Sequence, residues 1–151
     1  VKAVKLKSLT ELSMRISRTT MKSGLIFYDA QTVAEYFMEK LRHRSTECVI
    51  LACLDGKGQL ISETKLSDGS VKMSLISPRE IFMEALKNKA VNIILVHNHP
   101  SGDPTPSGAD KKVTEELIAL GEMMNIPLLD HVIIGDNKYT SYKELMYKEK
   151  R

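Results

Sequence analysis

Length, composition and charge describe an ordinary folded domain. The chain has 151 residues, of which 42% are apolar and 27% are charged, and its formal net charge is +3. One domain of this size buries roughly 70% of the surface of its unfolded chain, and this composition excludes an intrinsically disordered protein. No apolar run approaches the ~20 residues of a membrane-spanning helix, and the opening residues lack the apolar block of a signal peptide. We therefore expect a cytoplasmic protein with no membrane segment.

Positive charge is concentrated at the N-terminus. Residues 1–22 hold six Lys and Arg residues against one Glu, a net charge of +5. Apolar residues recur there at near-helical spacing, so residues 1–28 are predicted to form a basic helical arm or linker ahead of a domain at residues 29–151. Such a run is more often a solvated helix face, but it could contact nucleic acid through the phosphates. The chain begins at Val1 without a methionine, which leaves open that it is part of a longer protein.

The first elements predicted for the domain are a helix and three strands. A helix capped by Asp29 or Thr32 should run to about Arg44. Three extended segments follow, separated by turns that contain Asp and Gly, and they are typical of an antiparallel meander: residues 48–54, 60–66 and 71–76. The first segment is apolar throughout, which favours a central strand covered on both faces.

The second half of the chain predicts further helices and strands. Ser77, Pro78 and Glu80 form a capping-box signature, so a helix should run from Ser77 to about Asn88. The remaining elements are a strand at 91–96, a helix from Ser107 to about Asn125, strands at 128–134 and 139–140, and a helix from about Ser141. The helix from Ser107 carries one apolar stripe: Val113, Leu117, Leu120 and Met124. The order indicates a single α/β domain with a mixed sheet flanked by helices on both faces.

The two cysteines, Cys48 and Cys53, lie in the same apolar segment. Residues five apart in a strand face opposite sides of the sheet, so we expect two buried, reduced thiols and not a disulfide. A metal-binding role for Cys53 remains the less favoured alternative.

Two histidines directly follow a predicted buried strand. His97 and His99 are two residues apart, so in an extended segment their side chains leave on the same side and can bind one ion. A tight loop leads from them into the helix that begins at Ser107, and the first turn of this helix brings Asp110 back toward the histidines. Two imidazoles and a carboxylate are the three protein ligands of a zinc site with an open fourth position. Ser107 and Asp110 taken alone form an ordinary capping box, and the two interpretations are compatible.

A catalytic zinc site also needs a general base held near the metal. Glu47 precedes the most apolar strand, where an unpaired carboxylate is costly unless it has a function. The alternative is that Glu47 is simply the polar residue outside the end of this strand.

Two other polar residues have structural interpretations. His131 lies in the apolar 128–134 strand and could be a fourth ligand, but a core histidine that is hydrogen-bonded to a neighbour is favoured. Asp103 could also be a ligand, although a turn-stabilising side chain is the ordinary explanation for Gly-Asp-Pro.

The complete pattern of Glu47, His97-x-His99 and Ser107-x-x-Asp110 resembles the JAMM motif of the MPN-type (JAB) metalloproteases. The RadC-like (UPF0758) branch of this family is the closer resemblance, and three segments carry it: residues 77–82, 97–103 and 128–131. The resemblance covers about residues 29–147. It implies a cytidine-deaminase-like α/β fold, with Zn²⁺ bound by His97, His99 and Asp110, Glu47 as the acid and base, and Ser107 near the oxyanion.

The leading functional hypothesis is a zinc-dependent hydrolase that cuts a peptide or isopeptide amide bond with a metal-activated water. The alternative is a DNA-repair-associated zinc-binding module without hydrolytic activity, which would bind DNA through residues 1–22. The resemblance implies an N-terminal helical region in longer family members, and we expect this region to be missing here or reduced to the basic residues 1–22. The chain also has no tryptophan to stack on bases. Exposed edges in so small a sheet make a homodimer reasonable.

Other metal chemistries fit less well. A nucleobase deaminase needs HxE followed by PCxxC, and a zincin needs HExxH on a helix. The chain contains neither pattern.

Overall fold

The computed structural model describes residues 24–69 and 76–149. Within these ranges the chain forms four helices and five strands, in the order α1 (Ala30–Leu41), β1 (Cys48–Leu54), β2 (Leu60–Asp68), α2 (Pro78–Lys87), β3 (Asn92–Asn98), α3 (Gly108–Met124), β4 (Leu128–Ile134), β5 (Tyr139–Ser141) and α4 (Tyr142–Glu149). None of these helices is long and apolar enough to cross a membrane. The alternation of helices and strands confirms the predicted α/β domain.

Some predictions concern residues outside the described ranges. They are the helical arm up to residue 23, the nucleic-acid contact of residues 1–22, and the strand at 71–76 except for its last residue. The boundary at residue 29 stays a prediction, although Phe27 is already buried in the core and Ile26 forms a β-bridge with Gln59.

The five strands form one mixed sheet in the order β2-β1-β3-β4-β5. β1 pairs antiparallel with β2 and β3, β3 runs parallel to β4, and β5 is antiparallel to β4. All seven residues of β1 are buried, as its uninterrupted apolar sequence predicts for a central strand. The parallel pair β3 and β4 needs a long connection, and α3 supplies it.

Helices cover both faces of the sheet. α1 packs against one face, and α2 and α3 pack against the other, as the buried side chains of the two clusters show: Val33, Phe37 and Leu41 on the first face, and Ile81, Phe82 and Leu117 on the second. Cys48 belongs to the first cluster and Cys53 to the second, and both are free thiols. The cysteines therefore lie on opposite faces, as predicted, and apolar burial stabilises the domain without a disulfide.

Two local predictions are wrong, and one apolar stripe is only partly buried. Ser77 precedes α2 but makes no side-chain capping bond, because the Glu80 N–H bonds to the Ser77 backbone carbonyl instead. The apolar stripe of α3 does not stay in the core as far as Met124, which is 40% exposed where the helix ends. α1 ends at Leu41 and does not continue to Arg44.

Candidate metal centre

The C-terminal end of β3 carries the two histidines. His97 lies inside β3, and His99 follows the last residue of the strand. Ser107 caps α3, where its Oγ accepts the Asp110 N–H at 3.2 Å and the Asp110 Oδ2 accepts the Ser107 N–H at 2.7 Å. The capping box directs the Asp110 carboxylate toward the end of β3, so the capping and ligand roles of Asp110 coexist in the structure.

The three predicted ligands converge on one point. The Nε2 atom of His97 is 3.0 Å from Nε2 of His99 and 3.4 Å from Oδ1 of Asp110. The Nε2 atom of His99 is 3.3 Å from Oδ2 of Asp110. Ligand atoms bound tetrahedrally to zinc at ~2.0–2.2 Å lie about 3.3–3.6 Å apart. This ligand cluster could therefore hold one metal ion, and Cys53 is not among its members.

Burial and charge differ among the three side chains. His97 is fully buried, and burial lowers its pKa to about 4. The hydrogen bond with Asp110 raises the pKa of His99, whose side chain is 19% exposed. Burial raises the pKa of Asp110, but hydrogen bonds from His99 and Ser107 outweigh it and hold the pKa below its usual range. The cluster thus contains an anionic carboxylate and imidazole lone pairs at close range, an arrangement that a proton or a cation must balance.

A backbone carbonyl orients His99. The Nδ1 atom of His99 lies 2.8 Å from the Asp103 carbonyl oxygen. Because a carbonyl only accepts hydrogen bonds, Nδ1 carries the proton and Nε2 is the atom left for a metal. The Asp103 carboxylate accepts from the backbone N–H and the hydroxyl of Thr105, so it stabilises the turn and lies outside the ligand cluster.

Glu47 directly precedes β1, the strand that pairs with β3. The antiparallel register pairs Val49 of β1 with His97 of β3. Continuing this register by two residues in each strand sets Glu47 opposite His99 on the same face of the sheet. The hydrogen bond with Asp110 has the largest effect on the pKa of His99, and the charge of Glu47 has a smaller effect that also raises this pKa. The register therefore favours a position of Glu47 near the ligands, and both this position and its catalytic role stay predictions.

Asn98 has a positioning role that the motif spacing did not reveal. Its Oδ1 accepts the Cys48 N–H at 2.9 Å, and its Nδ2 donates to the Thr46 carbonyl at 3.2 Å. These two bonds hold the backbone on both sides of Glu47 against the strand that carries the histidines. An amide inside a buried strand must find hydrogen-bond partners. This requirement is the sequence signal that indicates a structural role for Asn98.

His131 uses both ring nitrogens within the core. Its Nε2 lies 2.8 Å from Nδ1 of His97, and its Nδ1 lies 2.6 Å from the hydroxyl oxygen of Thr114. Burial lowers the pKa of His131 well below its usual value. The favoured interpretation as a hydrogen-bonded core histidine is confirmed, and Thr114 is a partner that sequence reasoning missed.

Fold and site together define an α/β domain with a candidate metal centre of two histidines and one aspartate at the end of a buried strand. The family model described as RadC-like JAB domain matches residues 27–147. The chain belongs to the RadC-like JAB domain family.

Relatives in several bacteria are similar over nearly the whole chain. A UPF0758 protein of Geobacillus sp. (strain WCH70) is 44% identical over 146 residues, which are 97% of this chain and 65% of the relative. UPF0758 proteins of Bacillus velezensis and Desulforamulus reducens are each 42% identical, over 97% and 95% of this chain and 64% and 63% of their own lengths. The chain therefore spans less than two thirds of these relatives, and their names state no activity.

Proposed function

We propose that this chain is a zinc-dependent hydrolase of the JAMM type that cuts a peptide or isopeptide amide bond. One observation carries the proposal: the ligand atoms of His97, His99 and Asp110 lie close enough together to hold one metal ion. The pairing of Val49 with His97, continued by two residues, would set Glu47 opposite His99. Membership of the JAB domain family supports the same class of chemistry.

The donor set suits zinc. Two imidazole nitrogens and one carboxylate oxygen are ligands that zinc accepts, and three protein ligands are the number that leaves a fourth position open. When bound there, the ion would supply a water of lowered pKa and polarise a substrate carbonyl.

Glu47 is the group proposed to move the proton. A general base must be held within hydrogen-bond reach of its proton donor. The bonds from Asn98 to the backbone of Thr46 and Cys48 limit the movement of Glu47 relative to His97 and His99. The carboxylate would take a proton from the attacking water and deliver it to the nitrogen of the leaving amine.

Ser107 is proposed to stabilise the developing charge on the carbonyl oxygen. Its Oγ accepts the capping bond from the Asp110 N–H, which uses a lone pair and not the hydroxyl proton. A donor aimed at a growing oxyanion is among the most effective contributions to acyl transfer. Ser107 is exposed and His99 is partly exposed, whereas His97 is closed off in the sheet, so substrate should approach from the loop side.

The test is the substitution Glu47→Gln, which keeps the size of the side chain and removes its basic oxygen. Glu116→Gln, on the exposed surface of α3, is the matched control. We expect wild-type zinc content in both variants by elemental analysis. We expect turnover of fluorogenic peptide amides and of lysine-isopeptide substrates to disappear only in Glu47→Gln, because Glu47 is the group proposed to take the proton from the attacking water.

Three outcomes would contradict the assignment. Retained turnover in Glu47→Gln would remove Glu47 as the base, and loss of zinc would make it a ligand. A zinc-loaded wild type that cleaves no member of the substrate panel would favour a zinc-binding module without hydrolytic activity.

A further inference from the structure

A buried chain of hydrogen bonds lies behind the ligand cluster. It runs from Nδ1 of His97 to Nε2 of His131 at 2.8 Å, and from Nδ1 of His131 to Oγ1 of Thr114 at 2.6 Å. Thr114 then donates to the backbone carbonyl of Asp110 at 2.6 Å. We call these contacts the imidazole–hydroxyl chain. Through His131 and Thr114, it links two proposed ligands, His97 on β3 and Asp110 on α3, on the side away from the ligand cluster.

A β-bulge in β4 brings His131 to this face of the sheet. Ile93 pairs with Leu128, but Ile94 pairs with Asp130, so β4 contains one extra residue at this point. Without the bulge, His131 would pair with Val96, whose side chain belongs to the apolar cluster under α1. With the bulge, His131 pairs with Leu95, whose side chain lies on the same face as His97. The extra residue therefore decides whether His131 can reach His97.

The Asp110 carbonyl is the last acceptor of the imidazole–hydroxyl chain, and it fixes the direction of every hydrogen bond in it. The Asp110 carbonyl can only accept, so the single hydroxyl proton of Thr114 is donated to it. The Thr114 oxygen must then accept from His131, which places a proton on Nδ1 of that ring. A neutral His131 has a lone pair on Nε2, and this lone pair accepts a proton held on Nδ1 of His97. The Nε2 atom of His97 is left unprotonated and faces His99 and Asp110.

We propose that His131 and Thr114 are positioning residues that hold His97 in the Nδ1-protonated tautomer and thereby direct its Nε2 lone pair to the metal. The inference rests on the proposed function, because it assumes that His97 is a ligand. Partners of this kind fix the tautomer and ring orientation of metal-bound histidines, and their loss commonly weakens metal binding.

The hydrogen bond between His97 and His131 can reverse its direction, because a neutral imidazole can donate from either ring nitrogen. The bond from His99 to the Asp103 carbonyl cannot reverse, because a carbonyl only accepts. If the Thr114 hydroxyl is removed, the Nδ1 proton of His131 faces a methyl group and loses its acceptor. His131 then gains by moving its proton to Nε2 and donating to Nδ1 of His97. That exchange leaves the proton of His97 on Nε2, the atom that the metal requires.

The experiment compares Thr114→Val with Thr114→Ser in the full 151-residue chain. Valine matches the shape of threonine without the hydroxyl, whereas serine keeps the hydroxyl without the methyl. The first measurement is the long-range ¹⁵N–¹H spectrum of the metal-free, ¹⁵N-histidine-labelled proteins, which reports the protonated nitrogen of each ring. We expect His97 to be protonated on Nδ1 in the wild type and in Thr114→Ser, and on Nε2 in Thr114→Val.

The second measurement is the affinity for Zn²⁺ and for Co²⁺, whose visible absorption reports the ligand geometry. We expect Thr114→Val to weaken binding by about 10–100-fold and Thr114→Ser to stay within about threefold of the wild type. A merely structural role of Thr114 would change the melting temperature of the variants without exchanging the tautomer of His97.

Several results would overturn the inference. One is a metal-free wild type in which His97 is protonated on Nε2, and this result needs no variant to fold. Others are a Thr114→Val protein with wild-type tautomer and affinity, or a Thr114→Ser protein as weak as Thr114→Val. A wild type that binds no zinc would instead overturn the proposed function, and the tautomer spectra would still decide whether Thr114 and His131 control His97.

Discussion

The strand side and the loop side of the ligand cluster hold their histidines in different ways. On the strand side, His97 is fully buried and bonds to His131 of β4, which in turn bonds to Thr114 of α3. On the loop side, His99 is partly exposed, and its ring is held by the carbonyl of Asp103, within its own loop. On the side away from the ligand cluster, the His97 ring is therefore held through β4 and α3, and the His99 ring is held within its own loop.

The strand side is therefore the rigid part of the site, and the loop side is the accessible part. A buried side chain held by several elements moves only when the core opens, whereas an exposed loop can open locally at a much lower free energy. The strand side should therefore link metal binding to the stability of the domain. The loop side should adjust to substrate with little effect on the fold.

The largest effects are expected from His97→Ala and His99→Ala. Both remove one of three ligands, so both should weaken zinc binding by more than the ~10–100-fold expected for losing an outer partner. Their stabilities without metal should differ. His97→Ala leaves a cavity and a buried His131 nitrogen without its partner, at a cost on the order of 3 kcal/mol, whereas His99→Ala should cost about 1 kcal/mol. Urea unfolding in the presence of a chelator measures this difference.

Equal losses of unfolding free energy in these two variants would break the contrast between the two sides. A larger loss in His99→Ala would reverse it. Zinc binding at wild-type affinity in either variant would remove that histidine from the ligand set.

A smaller effect is expected from Gly135→Ala, which acts on the loop side alone. A Cβ at Gly135 would overlap the carbonyl oxygen of Gly102 and come within 2.8 Å of Cδ of Pro104, so the loop must shift. The shift should move the Asp103 carbonyl that orients His99 and weaken zinc binding by about tenfold, the lower end of the range for an orienting partner. Isothermal titration measures the affinity, and the ¹⁵N–¹H spectrum of His97 should stay unchanged.

Gly108→Ala is the matched control, because a Cβ at Gly108 meets nothing within 4 Å. It lies in the first turn of α3 next to Ser107, so it tests whether an added methyl near the site is enough to weaken binding. A Gly135→Ala protein with the affinity of Gly108→Ala would show that the loop tolerates displacement. A changed His97 tautomer would show that the two sides are not independent.

The parts of this structure that depend on local sequence were predictable. The β1 segment, Cys48–Leu54, has the bounds that its apolar run indicates. The HxH and SxxD spacings predict the three residues that form the ligand cluster. Each of these inferences depends on neighbours within one strand or one helical turn. A local signature does not always form its bond. Ser77 begins the signature of a capping box, but its side chain makes no capping bond.

The imidazole–hydroxyl chain could not be predicted in this way. His97, Thr114 and His131 come from three elements, and their contact depends on the register between β3 and β4. A single extra residue in β4 changes the face on which His131 lies. Nothing in the sequence Leu128–Ile134 marks the position of this bulge. The sequence therefore predicts that His131 is a core residue, but it does not reveal which residues His131 contacts.

The smallest effect is expected from Asp103→Ala. The group that orients His99 is the backbone carbonyl of Asp103, which the substitution keeps. Only the side-chain bonds to Thr105 are lost, and these lie in an exposed turn where water can replace them. Zinc affinity should fall by about threefold or less, below the ~10–100-fold expected for an outer partner whose bonding group is removed. Asp55→Ala is the matched control, because Asp55 makes similar side-chain bonds in the turn between β1 and β2. A loss in Asp103→Ala as large as in Thr114→Val, with no change in Asp55→Ala, would show that the loop side also depends on a side chain.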